Sequence, residues 1–127
     1  MDNPPVRLRF LRRSRLRKRR DFLRVQENSA RVSTAHFILL LASPPVPGPT
    51  RLGIVASKKV GGAADRNRAK RLVREVFRTQ LALFPAGVDL VVIAKPGASE
   101  LTFADVCREV DGVRSVLSRR AREVLRK

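Results

Sequence analysis

Asn67, Arg71, Arg74 and Arg78 recur at i, i+4, i+7 and i+11, the spacing that stacks side chains along one face of a helix. Arg66, Arg68 and Lys70 flank them, so six basic residues meet a single acid, Glu75, between 66 and 78. Like charges one turn apart destabilise a helix by about 0.2–0.5 kcal/mol per pair. Cations near a helix N-terminus are also opposed by the macrodipole. Both penalties disappear if phosphates lie along the face; the plain alternative is a solvated basic face. Just upstream, Lys58 and Lys59 precede Gly61-Gly62. The glycines either bring the backbone close to an anion at the helix start or serve a tight turn. The spacing of a nucleotide-binding Walker loop is absent.

Hydrolytic chemistry by the side chains themselves is hard to assemble. The acids are few and scattered, Asp21, Glu27, Asp65, Glu75 and Asp89 and then Glu100 to Glu123, and His36 has no evident partner. Neither a general base nor a carboxylate metal cluster emerges, so no catalytic residue and no metal ligand is expected. The single cysteine, Cys107, excludes an intramolecular disulfide. The formal charge of +17 points to a polyanion, either nucleic acid or an anionic membrane. Of the 28 basic residues only six are lysine, and arginine suits bidentate contact with phosphate. No apolar run is long enough to span a bilayer and no signal-peptide core follows the basic N-terminus, so a cytoplasmic protein is expected.

The elements that must position these residues follow from periodicity. Residues 1–18 read as a basic arm, with no acid between Arg7 and Arg20, ordered by an anion or left as a solvated tail. A short helix is predicted over 19–27, and strand chemistry over 31–42, peaking at His36-Phe-Ile-Leu-Leu-Leu-Ala42. The proline-rich segment 43–50 is a loop. Arg51–Ser57 and Val88–Ala94 are further strands. Between them a helix is predicted over 66–83, capped by Asp65, with Ala69, Leu72, Val73, Val76 and Leu83 as its apolar stripe. Thr102 and Asp105 open a last helix in capping-box fashion. Its buried stripe is Phe103, Val106, Cys107, Val110, Val113 and Leu117, and a basic tail over 119–127 frays. The whole is one α+β domain over about 19–118, a sheet with helices packed on it.

The run from Arg51 to Glu75 closely resembles the ribonuclease P protein component family. Its Arg-Asn-Arg-x-x-Arg helix is matched by Arg66, Asn67, Arg68 and Arg71, after a Ser-Lys-Lys-x-Gly segment at Ser57 to Gly61. The likeness extends to Arg20-Asp-Phe22, His36-Phe37-Ile38 and Ile93-Ala-Lys-Pro96. It implies a single-domain α-β sandwich like the second domain of a small-subunit ribosomal protein. Its strand–helix–strand crossover is left-handed, against the usual right-handed rule.

The resemblance also implies partners. Lys58, Lys59, Arg66, Asn67, Arg68, Arg71, Arg74 and Arg78 would bind the catalytic RNA of ribonuclease P. A cleft at Phe22, Gln26, Phe37, Ile38, Leu40, Arg66, Lys70 and Arg74 would hold the 5′ leader of precursor tRNA. Gln26 and Leu40 stand where the family commonly carries aromatics, which leaves stacking to Phe22 and Phe37; Phe37 suits the core better and Phe22 the cleft. The resemblance makes the chain the accessory subunit of a ribonucleoprotein endonuclease. Mg²⁺ would be held mainly by the RNA, with no organic cofactor, no membrane and no obligate protein partner; a divalent-ion site near the basic loop receives no residue. The alternative reading is a ribosomal protein or general RNA chaperone.

Overall fold

Strands with apolar residues on both faces need cover on both sides, and the computed structural model supplies it unequally. It describes residues 15, 16, 18–27 and 29–126. The basic arm expected over 1–18 therefore lies outside the described residues except at 15, 16 and 18.

Helix α1 (Arg19–Glu27) is followed by strands β1 (Ala30–Ser33), β2 (Phe37–Ala42) and β3 (Arg51–Ala56). Helix α2 (Ala63–Thr79), strand β4 (Asp89–Ala94) and helices α3 (Phe103–Asp111) and α4 (Arg114–Leu125) complete the chain. The sheet order is β1-β2-β4-β3; β2 is antiparallel to β1 and β4, and β3 runs parallel to β4. This is the mixed α+β single domain expected.

Alternation along each strand sorts the core in two. Phe37, Leu39, Leu41, Leu52, Leu90 and Val92 point into the larger core with α2, α3 and α4. Leu40, Ala42 and Val91 point the other way, into a smaller core with Leu16 and Val25. One nine-residue helix thus covers the second face.

Helix α2 starts earlier than the spacing predicts: Gly62 is the cap, and Asp65 sits in the first turn. It ends at Thr79, whose hydroxyl donates to the Glu75 carbonyl at 2.6 Å. A single 3-10 turn, Leu81–Leu83, follows. Pro85 disfavours helical dihedrals at the residue before it, and Phe84 is extended (φ −115°, ψ 146°). Leu81 is consequently exposed, and the stripe is completed by Phe77, tilted against Phe84 with ring centroids 5.3 Å apart.

The last helix is two. The capping box forms as expected, Asp105 N–H to Thr102 Oγ1 at 3.1 Å and Thr102 N–H to Asp105 Oδ2 at 2.9 Å. The chain then bends at Gly112-Val113. A straight helix from Phe103 to Leu125 would be about 34 Å long, against roughly 20 Å for a six-residue strand; the bend keeps α4 on β1 and β2. The tail expected to fray from 119 is helical as far as Leu125, with Ala121 buried and Val124 packed on the core. Phe103, expected in the buried stripe, is exposed at the helix start.

His36, expected to lack a partner, has one in Glu109. The carboxylate accepts from Thr34 Oγ1 (2.5 Å) and His36 N–H (2.6 Å), and lies 2.9 Å from His36 Nδ1. Burial alone would raise the Glu109 pKa, but these hydrogen bonds outweigh it and hold it below the ordinary 4.5. The unfolded chain therefore binds the proton first as pH falls. The stabilisation is complete above about pH 4.5 and is lost as pH drops through the depressed folded value. Glu109→Gln is expected to lower stability by about 1.5 kcal/mol at pH 7. The stability gap between variant and parent should close as pH falls through the depressed folded value, and a gap independent of pH would contradict it.

Candidate nucleic-acid interface

Gly53 lies on the face of β3 that meets α1. A Cβ there would stand 2.6 Å from Cε1 and 2.7 Å from Cζ of Phe22, so only glycine lets this ring settle on the sheet. Leu16 N–H donates to the Leu52 carbonyl at 2.9 Å, tying the chain before α1 to the outer edge of β3. Arg15, Leu16, Phe22, Leu52, Gly53, Ile54 and Arg74 then line a cleft of about 180 Å³.

The register extends this cleft into a floor. Ile38 pairs with Ile93, and Ile93 with Val55, giving one apolar row across three strands. The row is only partly buried, at the margin of the smaller core. The neighbouring row, Leu40, Val91 and Gly53, is buried.

What seats α1 is a carboxylate. Asp89 is fully buried, and Arg51 grips it twice, Nε to Oδ1 at 2.9 Å and Nη2 to Oδ2 at 2.7 Å. Arg24 of α1 donates to the same Oδ2 and, through Nη1, to the Ser43 carbonyl at 2.9 Å. Asp21 stands 4.0 Å from Arg51. The hydrogen bond to Asp89 pushes the Arg51 pKa up. Asp89, read from sequence as one of several scattered acids, is thus the clamp joining α1, β3 and β4.

On α2 the outer ridge forms as its spacing predicts: Asn67, Arg71 and Arg74 are exposed. Arg78 also lies there, held to Glu75 at 2.5 Å. Arg66 and Lys70 are half-buried, and Arg66 Nη1 donates to the Gly61 carbonyl at 3.2 Å. Arg68 leans to the opposite flank, its Nε on the Ser99 carbonyl at 2.7 Å. Lys58 and Lys59 are exposed in the turn leaving β3. Gly61 has φ +145°, and a Cβ on it would fall 2.4 Å from Oδ2 of Asp65. The glycine therefore makes room for the chain's own carboxylate beside the helix start.

Two expected cleft residues are placed differently. Phe37 is buried on the far face, in the larger core; strand alternation forbids it to share a face with Ile38 and Leu40. Leu40 is on the expected face but buried beneath α1. Gln26 is exposed on α1, one turn beyond Phe22. Val55, Ile93 and Gly53 were missed, because only the cross-strand register brings them beside Ile38 and Phe22. Among the described residues no group of three His, Cys, Asp or Glu side chains is placed to hold a metal ion, and no helix is long and apolar enough to cross a membrane.

Gly53→Ala is expected to push the Phe22 ring off the sheet and cost about 1–3 kcal/mol by overpacking. The check is thermal denaturation together with binding of a single-stranded RNA oligonucleotide. An unchanged melting temperature would show that the ring yields freely.

Such a protein is a small α+β domain with a cationic helix set beside an apolar, glycine-floored cleft. The profile of the ribonuclease P family matches residues 10–119, and the chain belongs to the ribonuclease P protein component family. It is 44% identical over 96 residues to the ribonuclease P protein component of Syntrophus aciditrophicus, covering 76% of this chain and 80% of that one. Its fold is similar to the solved RNase P protein of Thermotoga maritima (TM-score 0.69, 36% identity, 83% of this chain and 96% of that one). It also matches the RNase P protein of Staphylococcus aureus (TM-score 0.71, 29% identity, 81% and 94%).

Proposed function

We propose that this chain binds the catalytic RNA of ribonuclease P along α2 and holds the 5′ leader of precursor tRNA in the cleft at Phe22, assisting removal of the leader. The observation that carries this reading is the juxtaposition of two unlike surfaces. A ridge of like charges at Arg71 and Arg74 stands beside an apolar floor at Phe22, Ile38, Ile93 and Val55, and Arg74 belongs to both. Phosphates relieve the repulsion on the first. Unpaired bases suit the second, since an aromatic ring stacks on any base for about 1–3 kcal/mol. Phe22 is the ring so placed; Phe37 is not.

The residues that line the cleft are two arginines, apolar side chains and a glycine, so this reading gives the protein no acid–base step. Arg66, Lys70 and Arg74 neutralise backbone charge, and Phe22 fixes the leader, which together position the scissile bond against the RNA subunit. Mg²⁺ held mainly by the RNA would supply the charge that activates water.

The test is reconstitution. Purified protein, a bacterial ribonuclease P RNA and precursor tRNA are mixed at low Mg²⁺, and 5′ cleavage is measured. Cleavage should require the RNA and rise with the protein. Cleavage by protein alone, or no effect of protein on the RNA, would overturn the proposal.

A further inference from the structure

Helix α4 carries a second array of cations, held by the core. Leu117 and Ala121 are buried and Val124 packs beside them. At about 100° per residue, Ser115, Arg119, Arg122 and Arg126 fall within about 60° of one another on the side opposite that contact. All four are exposed.

The acids nearby are engaged with other arginines. Asp111 lies 3.6 Å from Arg114, and Glu123 lies 3.4 Å from Arg120. Arg119, Arg122 and Arg126 have no ion-pair partner among the described residues. Arg119–Arg122 and Arg122–Arg126 are like-charge neighbours at i, i+3 and i, i+4, which isolated helices disfavour. The macrodipole offsets this only within the last turn, at Arg122 and beyond, and leaves Arg119 unexplained.

The array is well separated from α2. Helix α4 packs on β1 and β2, α2 packs on β3, and β1 and β3 are the two edges of the sheet, about 14 Å apart by ordinary strand spacing. The ridge has no aromatic residue, so it offers nothing for bases to stack on and suits the phosphates of folded RNA. A membrane-surface helix would turn its apolar side outward, whereas Leu117, Ala121 and Val124 serve the core.

We propose that Arg119, Arg122 and Arg126 form a second backbone contact with the RNA subunit, engaging a segment other than the one along α2. The proposal rests on the reading of this chain as an RNA-binding subunit. The full chain carrying Arg119→Gln, Arg122→Gln and Arg126→Gln should bind a bacterial ribonuclease P RNA at least tenfold more weakly near 50 mM salt. Its salt dependence should flatten by about two to three in log–log slope. Binding of a single-stranded leader oligonucleotide should be unchanged, which also shows that the variant is folded.

Two companion variants separate the outcomes. Arg108→Gln, Arg114→Gln and Arg120→Gln removes the same charge from acid-paired positions; an equal loss there would reduce the effect to net charge and overturn the proposal. Arg71→Gln with Arg74→Gln tests the α2 reading. Loss in the α2 variant with an unchanged α4 variant overturns the α4 contact alone. Loss in the α4 variant with an unchanged α2 variant overturns the reading of α2 and keeps this one. Loss of binding to phosphatidylserine vesicles, with RNA binding intact, would make the ridge a membrane contact and overturn it.

Discussion

Arg71→Gln combined with Arg74→Gln is expected to weaken binding to ribonuclease P RNA by roughly a hundredfold near 0.1 M salt, about 2.7 kcal/mol. Each lost phosphate contact should lower the log–log salt slope by about 0.9 on a duplex, so the pair should lower it by nearly two. Both side chains are exposed, so little packing is lost. Removing Arg74 also relieves like-charge pairs with Arg71 and Arg78, each costing about 0.2–0.5 kcal/mol. The free variant should therefore melt at the same temperature as the parent or slightly higher. Weaker RNA binding with an unweakened fold is the signature of a surface whose charge serves a partner. A flat comparison of salt slopes would remove α2 from the interface. Because Arg74 also borders the Phe22 cleft, Arg71→Gln alone should affect the RNA subunit while leaving leader binding intact.

Asp89→Ala should be the most damaging single change to the fold. The carboxylate is fully buried and receives Arg51 twice and Arg24 once. Removing one partner of a buried ion pair costs about 3–5 kcal/mol, because the remaining charges are stranded. Arg24 and Arg51 keep 29% and 27% of their side-chain surface exposed, so water can partly take the place of Asp89, and the lower end, about 3 kcal/mol, is expected. For a domain of about 100 residues that is a fall of roughly 10–20 °C in melting temperature. Arg24→Ala isolates the functional half, since Arg51 still satisfies Asp89. It should loosen α1 and reduce leader binding through Phe22 while sparing the salt-dependent contact along α2. A drop of under 2 °C for Asp89→Ala would mean that the clamp is not what seats α1.

The two predictions differ in how legible their residues were. The α2 ridge is a local pattern: positions 67, 71, 74 and 78 share a face in any α-helix. The strands were equally legible, because β-branched and aliphatic runs bounded by proline and glycine have few other uses. Element ends were less so. Asp65 is a good capping residue in isolation, yet the helix begins three residues earlier on Gly62 and brings Asp65 over Gly61. The tail from 119 reads as a charged, fraying end, but Ala121 and Val124 give it enough apolar contact to continue as helix. Phe37, named with the cleft but better suited to the core, does lie in the core, because strand alternation, a purely local rule, sets it opposite Ile38.

Helical and strand periodicity, written into neighbouring residues, determined by themselves where this protein keeps its charge and its apolar stripes, and the family motif lies within that local text. Only the tertiary structure decided what meets what. Asp89 finds Arg24 across 65 residues and Arg51 across 38; His36 finds Glu109 across 73; Ile38, Ile93 and Val55 become one row through register alone. The physical reason is that such contacts depend on how whole elements pack over a shared core. No period of two or 3.6 residues encodes the partner of a buried carboxylate, or the single strand position where a missing Cβ lets Phe22 rest.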